Sequence, residues 1–277
     1  MIPNTPASTA SVLVLGSGTS HGVPMIGCDC ATCRSDDQRD TRSRASILIT
    51  VPGGPTILVD TSPDLRAQAL QHRLRCIDAI LYTHSHADHV LGLDELRRFN
   101  SMQREAIPCY GDERTLADLR RIFAYAFDGN IPIGGGLPRV VLFPLAGEFS
   151  IGAATFTPVP LLHGRRQIYG YRLGNFAYLT DCSAIPDASW GLLEGVETVI
   201  LDALRDRPHP THLSVGESLE IVKRLGPERA FFTHMCHDLP HAATCARLPD
   251  GVELAYDGLV FEISLENSGG ASVEERE

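Results

Sequence analysis

The segment His84-Ser85-His86-Ala87-Asp88-His89 packs three imidazoles and a carboxylate into one short stretch. Neutral imidazole nitrogens suit Zn²⁺, Mn²⁺ or Fe²⁺, and a carboxylate adds charge and hardness. The apolar run at residues 77–82 reads as a strand, so the four groups sit in the turn where it ends, with a helix beginning near Gly92. Alternation sends His84 and His86 to one side, and the tight turn brings Asp88 and His89 to a neighbouring point. Such a group can hold parts of two metal sites. A second crowd of donors, Cys28-Asp29-Cys30-Ala31-Thr32-Cys33, has spacing that is poor for disulfides and good for metal. Eight cysteines and eleven histidines distributed this unevenly point to metal before disulfides. Cys76, Cys109, Cys182 and Cys245 lack ligand spacing and read as core or incidental thiols.

These groups must be positioned by a chain of 277 residues, enough for one large α/β domain or two small ones. Lys and Arg number 24 against 34 Asp and Glu, a net charge of −10, which argues against a nucleic-acid coat or a polybasic membrane binder. A small phosphorylated substrate stays compatible with that charge, because a bound metal supplies local positive charge. No apolar run approaches the roughly 20 residues of a membrane span. The N-terminus lacks both a basic stretch and an apolar core of signal length, so the chain reads as soluble and cytoplasmic.

Strands are expected at residues 11–15, 45–51, 56–59, 77–81, 107–110, 140–143 and 149–151, and again at 155–159, 168–173, 176–179, 198–201, 229–232, 253–254 and 259–263. Helices are expected at 64–72, 93–100, 113–127 and 215–225, and a long cysteine-bearing loop separates the first two strands. Meander, helices, then meander and helices again fit an α/β (α+β) chain of two mixed sheets packed together with helices outside. A doubly wound sheet would need stricter alternation. Residues 11–265 read as one domain with a cysteine-rich insert at 27–34, and residues 1–10 and 266–277 as flexible termini.

The motif at 84–89, in its strand-end setting, resembles the signature of the metallo-β-lactamase superfamily, which implies an αββα sandwich. The resemblance also implies further ligands from later strand ends. In the family's order these are His163 after the apolar stretch 156–162, Asp181 after Tyr178-Leu179-Thr180, and His234 after Phe231-Phe232-Thr233. Gly18-Thr19-Ser20-His21-Gly22-Val23-Pro24, followed by Gly27 and the three cysteines, is similar to the PhnP-like phosphodiesterase branch. In that branch three loop cysteines and a histidine three residues past the last catalytic histidine hold a structural zinc. Here the set is Cys28, Cys30, Cys33 and His237, a closed four-ligand site, with Cys236 a competitor for the fourth place.

Asp60 resembles the superfamily's early aspartate, which orients ligands; a plain cap for the following helix, shared with Asp64, is the other reading. His212 corresponds to a histidine that the branch places near the leaving group, with a surface-loop histidine as the alternative. Arg97, about one helical turn beyond the motif, reads either as a bidentate ligand of substrate phosphate or as part of a solvated helix face.

The resemblance implies two divalent ions, Zn²⁺ or Mn²⁺, bridged by Asp181, with His84, His86 and His163 on one and Asp88, His89 and His234 on the other. A hydroxide bridging the ions would attack the phosphorus of a small phosphodiester, with Asp88 and His212 as the catalytic residues and His212 serving the departing alkoxide. A cyclic phosphate such as phosphoribosyl 1,2-cyclic phosphate, or a cyclic nucleotide, is the expected substrate. The runner-up is a tRNA 3′-processing endonuclease, a family that carries a long basic Gly-rich arm. Residues 91–163 offer Gly134-Gly135-Gly136 without a basic cluster. A non-catalytic carrier like the quinone-cofactor biosynthesis protein PqqB would be expected to lack metal ligands, and none is missing. No nucleic-acid or membrane partner is expected, and a homodimer is left open.

Overall fold

Stretches rich in Val, Ile, Leu and Phe build two seven-stranded mixed sheets in the structure, a computed structural model that describes residues 8–128 and 136–266. The first sheet contains β1 (Thr9–Gly16), β2 (Ser46–Thr50), β3 (Thr56–Val59), β4 (Ala79–Leu81), β5 (Ile107–Gly111) and β6 (Val140–Pro144). The second contains β7 (Phe149–Ile151), β8 (Ala154–His163), β9 (Arg166–Leu173), β10 (Phe176–Leu179), β11 (Thr198–Asp202), β12 (Arg229–Thr233) and β13 (Val252–Leu254). The last strand, β14 (Val260–Ser264), returns to the first sheet beside β1. Strands β3 to β6 run parallel to one another, as do β10 to β13.

Val12, Ile47, Ile57, Val59 and Leu81 of the first sheet pack against Phe156, Tyr171, Phe176, Tyr178 and Ile200 of the second. The outer face of the first sheet is covered by α1 (Leu65–Gln71), α2 (Ala87–Val90), α3 (Leu96–Gln103), α4 (Glu113–Ile122) and α5 (Ala124–Phe127), whose Leu65, Leu96, Phe99 and Leu119 meet Leu58 and Ile80. On the second sheet, Val215 of α6 (Val215–Leu225) joins Leu179, Leu201 and Phe232, and α7 (His241–Cys245) lies beside β13. Each fully buried aliphatic or aromatic side chain contributes roughly 1.5–3 kcal/mol. The architecture is the expected αββα sandwich. Among the described residues no helix is long and apolar enough to cross a membrane.

Several expected boundaries shift, each for a physical reason. β1 starts at Thr9, and Thr9 and Ala10 pair with Ser264 and Ile263, so these two residues are strand rather than flexible terminus. Residues 1–7 and 267–277 of the expected termini, and Gly134 and Gly135, lie outside the described residues. β8 runs on past residue 159 to His163 despite Pro158 and Pro160. β7 pairs only with residues 154–156, and the next pairing on that side is Leu162 with Ala184, so Pro158 and Pro160 lie on an open edge where proline removes no ladder bond. The helix expected over 113–127 breaks at Phe123 (φ −106°, ψ 39°), whose ring is buried among the core side chains of the first sheet. A 3₁₀ turn at Leu91–Glu95 precedes α3, where one helix from residue 93 was expected.

Candidate metal centre

Parallel pairing brings the carboxyl ends of β3 and β4 together in one sheet, and those of β10, β11 and β12 together in the other. The expected ligands leave from the carboxyl ends of strands in both sheets. His84 follows β4, His163 closes β8, Asp181 follows β10 and His234 follows β12. The turn holding His84 to His89 is lashed to the end of β3, since Thr61 N–H donates to the His89 carbonyl and Gly92 N–H to that of Thr61. Only glycine fits at position 92, where a Cβ would lie 2.1 Å from the Ser62 carbonyl oxygen.

Asp181 stands at the centre. Its Oδ2 is 2.9 Å from His84 Nε2 and 3.2 Å from His89 Nε2. Its Oδ1 lies 2.9 Å from His212 Nδ1, 3.2 Å from His163 Nδ1 and 3.8 Å from His234 Nε2. Asp88 Oδ2 sits 3.4 Å from the Nε2 atoms of both His89 and His234. His86 is exposed, with its ring 4.5 Å from that of His84 and 5.0 Å from that of His163. Burial alone would raise the Asp181 carboxyl, but the imidazoles, His234 and His84 foremost, hold it well below the usual range.

Asp60 is wholly buried. It does not cap α1, whose N-cap is Asp64 without a side-chain bond. Its carboxylate accepts from Thr83 N–H at 2.9 Å, Thr83 Oγ1–H at 2.8 Å and His89 Nδ1–H at 2.7 Å. With its proton committed to Asp60, Thr83 Oγ1 accepts from His84 Nδ1–H at 3.0 Å. One carboxylate thus fixes two tautomers and leaves Nε2 bare on both rings, the form that ligates metal. His163 gains the same tautomer by donating Nδ1–H to the Asp181 carbonyl at 2.8 Å.

Several of these buried donors and acceptors converge without pairing. Among the described residues, His84 Nε2, His89 Nε2, Asp181 Oδ1, His212 Nδ1 and His234 Nδ1 are buried with no hydrogen-bond partner, although carboxylate oxygens lie close by. Atoms that approach within contact distance but do not aim at one another fit a common cation between them. Burial, with His89 beside it, pushes the His84 ring down to about 3, so it stays neutral and able to ligate at physiological pH. At His89 burial is outweighed by Asp88 and Asp60, which hold the ring well above its usual range. The same concentration of negative charge favours a divalent cation.

His212, in the loop before α6, joins this group with Nδ1 also 3.5 Å from Asp202 Oδ1. Burial pulls its imidazolium down, but the neighbouring Asp181 and Asp202 carboxylates hold its pKa up at about 10. His212 lines a cavity of about 280 Å³ together with His21, Arg205, Arg207, His209 and Asp238. Asp202 was missed by the sequence reading, though a signal existed. It follows an apolar strand, as Asp60 and Asp181 do, and its carboxylate is wholly buried. Arg97 is half exposed on α3 and paired with Asp94 three residues before, as its solvated-face reading expects. The guanidinium at the cluster is Arg166, whose Nη2 donates to Ser85 Oγ at 2.9 Å.

The second cluster assembles as expected. Cys28, Cys30 and Cys33 place their sulfurs 3.2, 3.5 and 3.5 Å from His237 Nδ1. Cys236 lies outside this set, its sulfur accepting from Asp238 N–H. The Cys33 N–H given to Cys30 brings that thiol down to about 7, towards the thiolate a metal requires. Arg42, fully buried, braces the meeting point by donating to the Cys236 and Leu239 carbonyls and pairing with Asp40.

Two converging sets of buried His, Asp and Cys donors at strand ends of an αββα sandwich define a metallohydrolase scaffold. The model of the Beta-lactamase superfamily domain matches residues 55–235, and the chain belongs to the metallo-β-lactamase superfamily. A solved structure described as a new diphosphatase from the PhnP family shares 45% identity at a TM-score of 0.87, covering 93% of this chain and 98% of that one, which sets the chain in the PhnP-like branch. An octanoyltransferase of Porphyromonas gingivalis is 36% identical over 249 residues, 89% of this chain, and the chain spans only 50% of that relative's length. Coenzyme PQQ synthesis protein B of Methylobacterium radiotolerans is 30% identical over 225 residues, 69% of this chain and 72% of that protein. The chain is thus of metal-dependent hydrolase type.

Proposed function

We propose that this protein is a phosphodiesterase acting on a small phosphodiester, with a cyclic phosphate such as phosphoribosyl 1,2-cyclic phosphate or a cyclic nucleotide as the substrate class. The observation that carries the reading is Asp181, one buried carboxylate within 3.8 Å of five imidazoles with no cysteine among them. His84, His86, His89, His163, His234, Asp88 and Asp181 would hold a pair of divalent ions, Zn²⁺ or Mn²⁺, while Cys28, Cys30, Cys33 and His237 would hold a structural zinc. When bound, such a pair supplies an activated water and takes up charge on phosphoryl oxygens.

The chain's own residues do the rest. Asp60 and Thr83 keep two imidazoles in the ligating tautomer. His212, with Nδ1 turned to Asp181 and Asp202, stands at the wall of the adjoining cavity, placed to give a proton to a departing alkoxide. The cavity, edged by Arg205, Arg207 and His209, has room for a compact polar leaving group. A diphosphate is the second reading, supported by the description of the 45% identical structure.

A panel of cyclic phosphates, nucleotide diesters, diphosphates and precursor tRNA, assayed with Zn²⁺ and with Mn²⁺, tests the proposal. A small cyclic diester should be preferred, with weak salt dependence. Efficient tRNA cleavage with a steep salt slope would overturn it, because only a ligand with many phosphates releases many counterions.

A further inference from the structure

The hairpin that ends in His163 carries a cation that the ligand set leaves unused. His163 and Arg166 are directly opposed in the β8–β9 register, so their side chains stand on one face of the sheet. Arg166 is half-buried and reaches the motif itself, because the Ser85 that accepts its Nη2–H at 2.9 Å lies between His84 and His86. Ser85 Oγ–H is committed to Asp118 Oδ2 of α4 at 2.5 Å, which leaves the hydroxyl's lone pairs for Arg166. The Arg166 Nε–H is buried with no acceptor among the described residues. A planar fork of donors with one arm fixed and another unpaired, beside a site suited to cations, suits the oxygens of a phosphoryl group.

We infer that Arg166 is an anion clamp that binds a non-bridging oxygen of the substrate's phosphoryl group on the His86 side of the cluster. The inference rests on the phosphodiesterase reading above. A purely structural role would make Arg166 a tether that holds the 84–89 turn through Ser85, and the two roles separate experimentally.

Hydrolysis of bis(p-nitrophenyl) phosphate, its inhibition by inorganic phosphate, and metal content are to be measured for the wild-type protein and for Arg166→Gln, Arg166→Lys and Ser85→Ala. Losing a charge-assisted bond should raise KM and the phosphate inhibition constant of Arg166→Gln by about ten- to a hundredfold, with metal content unchanged. Arg166→Lys should recover part of the loss, keeping charge without the fork, and Ser85→Ala should lose much less than Arg166→Gln. An unchanged phosphate inhibition constant in Arg166→Gln, a loss of metal there, or an equal loss in Ser85→Ala would overturn the clamp and leave the function standing. A wild-type protein that hydrolyses no phosphate ester with either metal would overturn the function and the clamp with it.

Discussion

Asp60→Asn should cost metal affinity without costing the fold. The substitution keeps shape, and asparagine tolerates the left-handed backbone that Asp60 adopts at φ 62°. The amide oxygen can still accept Thr83 N–H, but its NH₂ then faces Thr83 Oγ1 and His89 Nδ1, which now both donate to the carboxylate. To avoid donor meeting donor, the His89 proton must move to Nε2, and Thr83 must turn its hydroxyl proton to His84 Nδ1. Both Nε2 atoms are then protonated and lost as ligands. Hydrogen bonds to a charged group are worth about 1.5–3 kcal/mol each, which converts to roughly ten- to a hundredfold in affinity per imidazole, in line with the usual effect of losing a ligand's supporting partner.

Asp60→Ala makes the contrast. It forces no tautomer, but it leaves Thr83 N–H unsatisfied in the core and places alanine at a positive φ, costing about 1–2 kcal/mol for the backbone alone. Competition with a chromophoric chelator would read affinity, and thermal unfolding in chelator would read stability. Asp60→Asn should be the weaker metal binder of the two and Asp60→Ala the less stable. Wild-type metal affinity in Asp60→Asn would refute the tautomer argument.

Other expectations follow from the same geometry. The Cys28→Ser, Cys30→Ser double variant should lose about one zinc by elemental analysis and melt at lower temperature, because metal binding there is coupled to folding; unchanged zinc content would remove that site. Asp181→Ala should lower turnover by several orders of magnitude with near-native circular dichroism, since the carboxylate touches all five surrounding imidazoles, and full activity would show that it does not bridge. His212→Ala should slow a sugar-alkoxide leaving group far more than nitrophenolate, which departs without a proton; equal losses would reject His212 as the acid.

Much of the centre was legible because its chemistry is local. His84 to His89 is one turn and Cys28 to Cys33 one loop, and His163, Asp181 and His234 each close an apolar run that declares itself a strand end. What stayed hidden depends on which strands become neighbours. Asp202 has the same local appearance as Asp60 and Asp181, and only the parallel pairing of β10, β11 and β12 brings it beside Asp181 and His234. Arg97 and Arg166 are indistinguishable as residue types near a motif. The helix turns one towards Asp94 and water, while the hairpin register sets the other opposite His163. The choice for Asp60 between capping a helix and orienting a ligand likewise depended on a dihedral angle that no local pattern states.

That dihedral recurs. Asp60, Asp181 and His234 have φ of 62°, 58° and 60°, the left-handed region that side chains other than glycine enter at a cost. Asp and His enter it more readily than most residues, yet each still needs the surrounding backbone to hold it there. At Asp60 the hold comes from its own N–H on the Leu81 carbonyl, across two parallel strands. After His234 it comes from Met235 N–H on the Ser17 carbonyl, in the loop leading to the cysteines, and before it from Ala203 N–H on the Thr233 carbonyl. A strand that continued straight would alternate its next side chain above or below the sheet. The left-handed step instead turns the chain at the sheet's edge and sends the carboxylate or imidazole into the seam where both sheets end. The strain is therefore the means by which two sheets share one cluster, consistent with the tendency of such backbone to gather at functional sites. It also ties the cysteine cluster to the histidine cluster, because the segment that sets His234 in its turn is the same one that carries His237 to Cys28, Cys30 and Cys33.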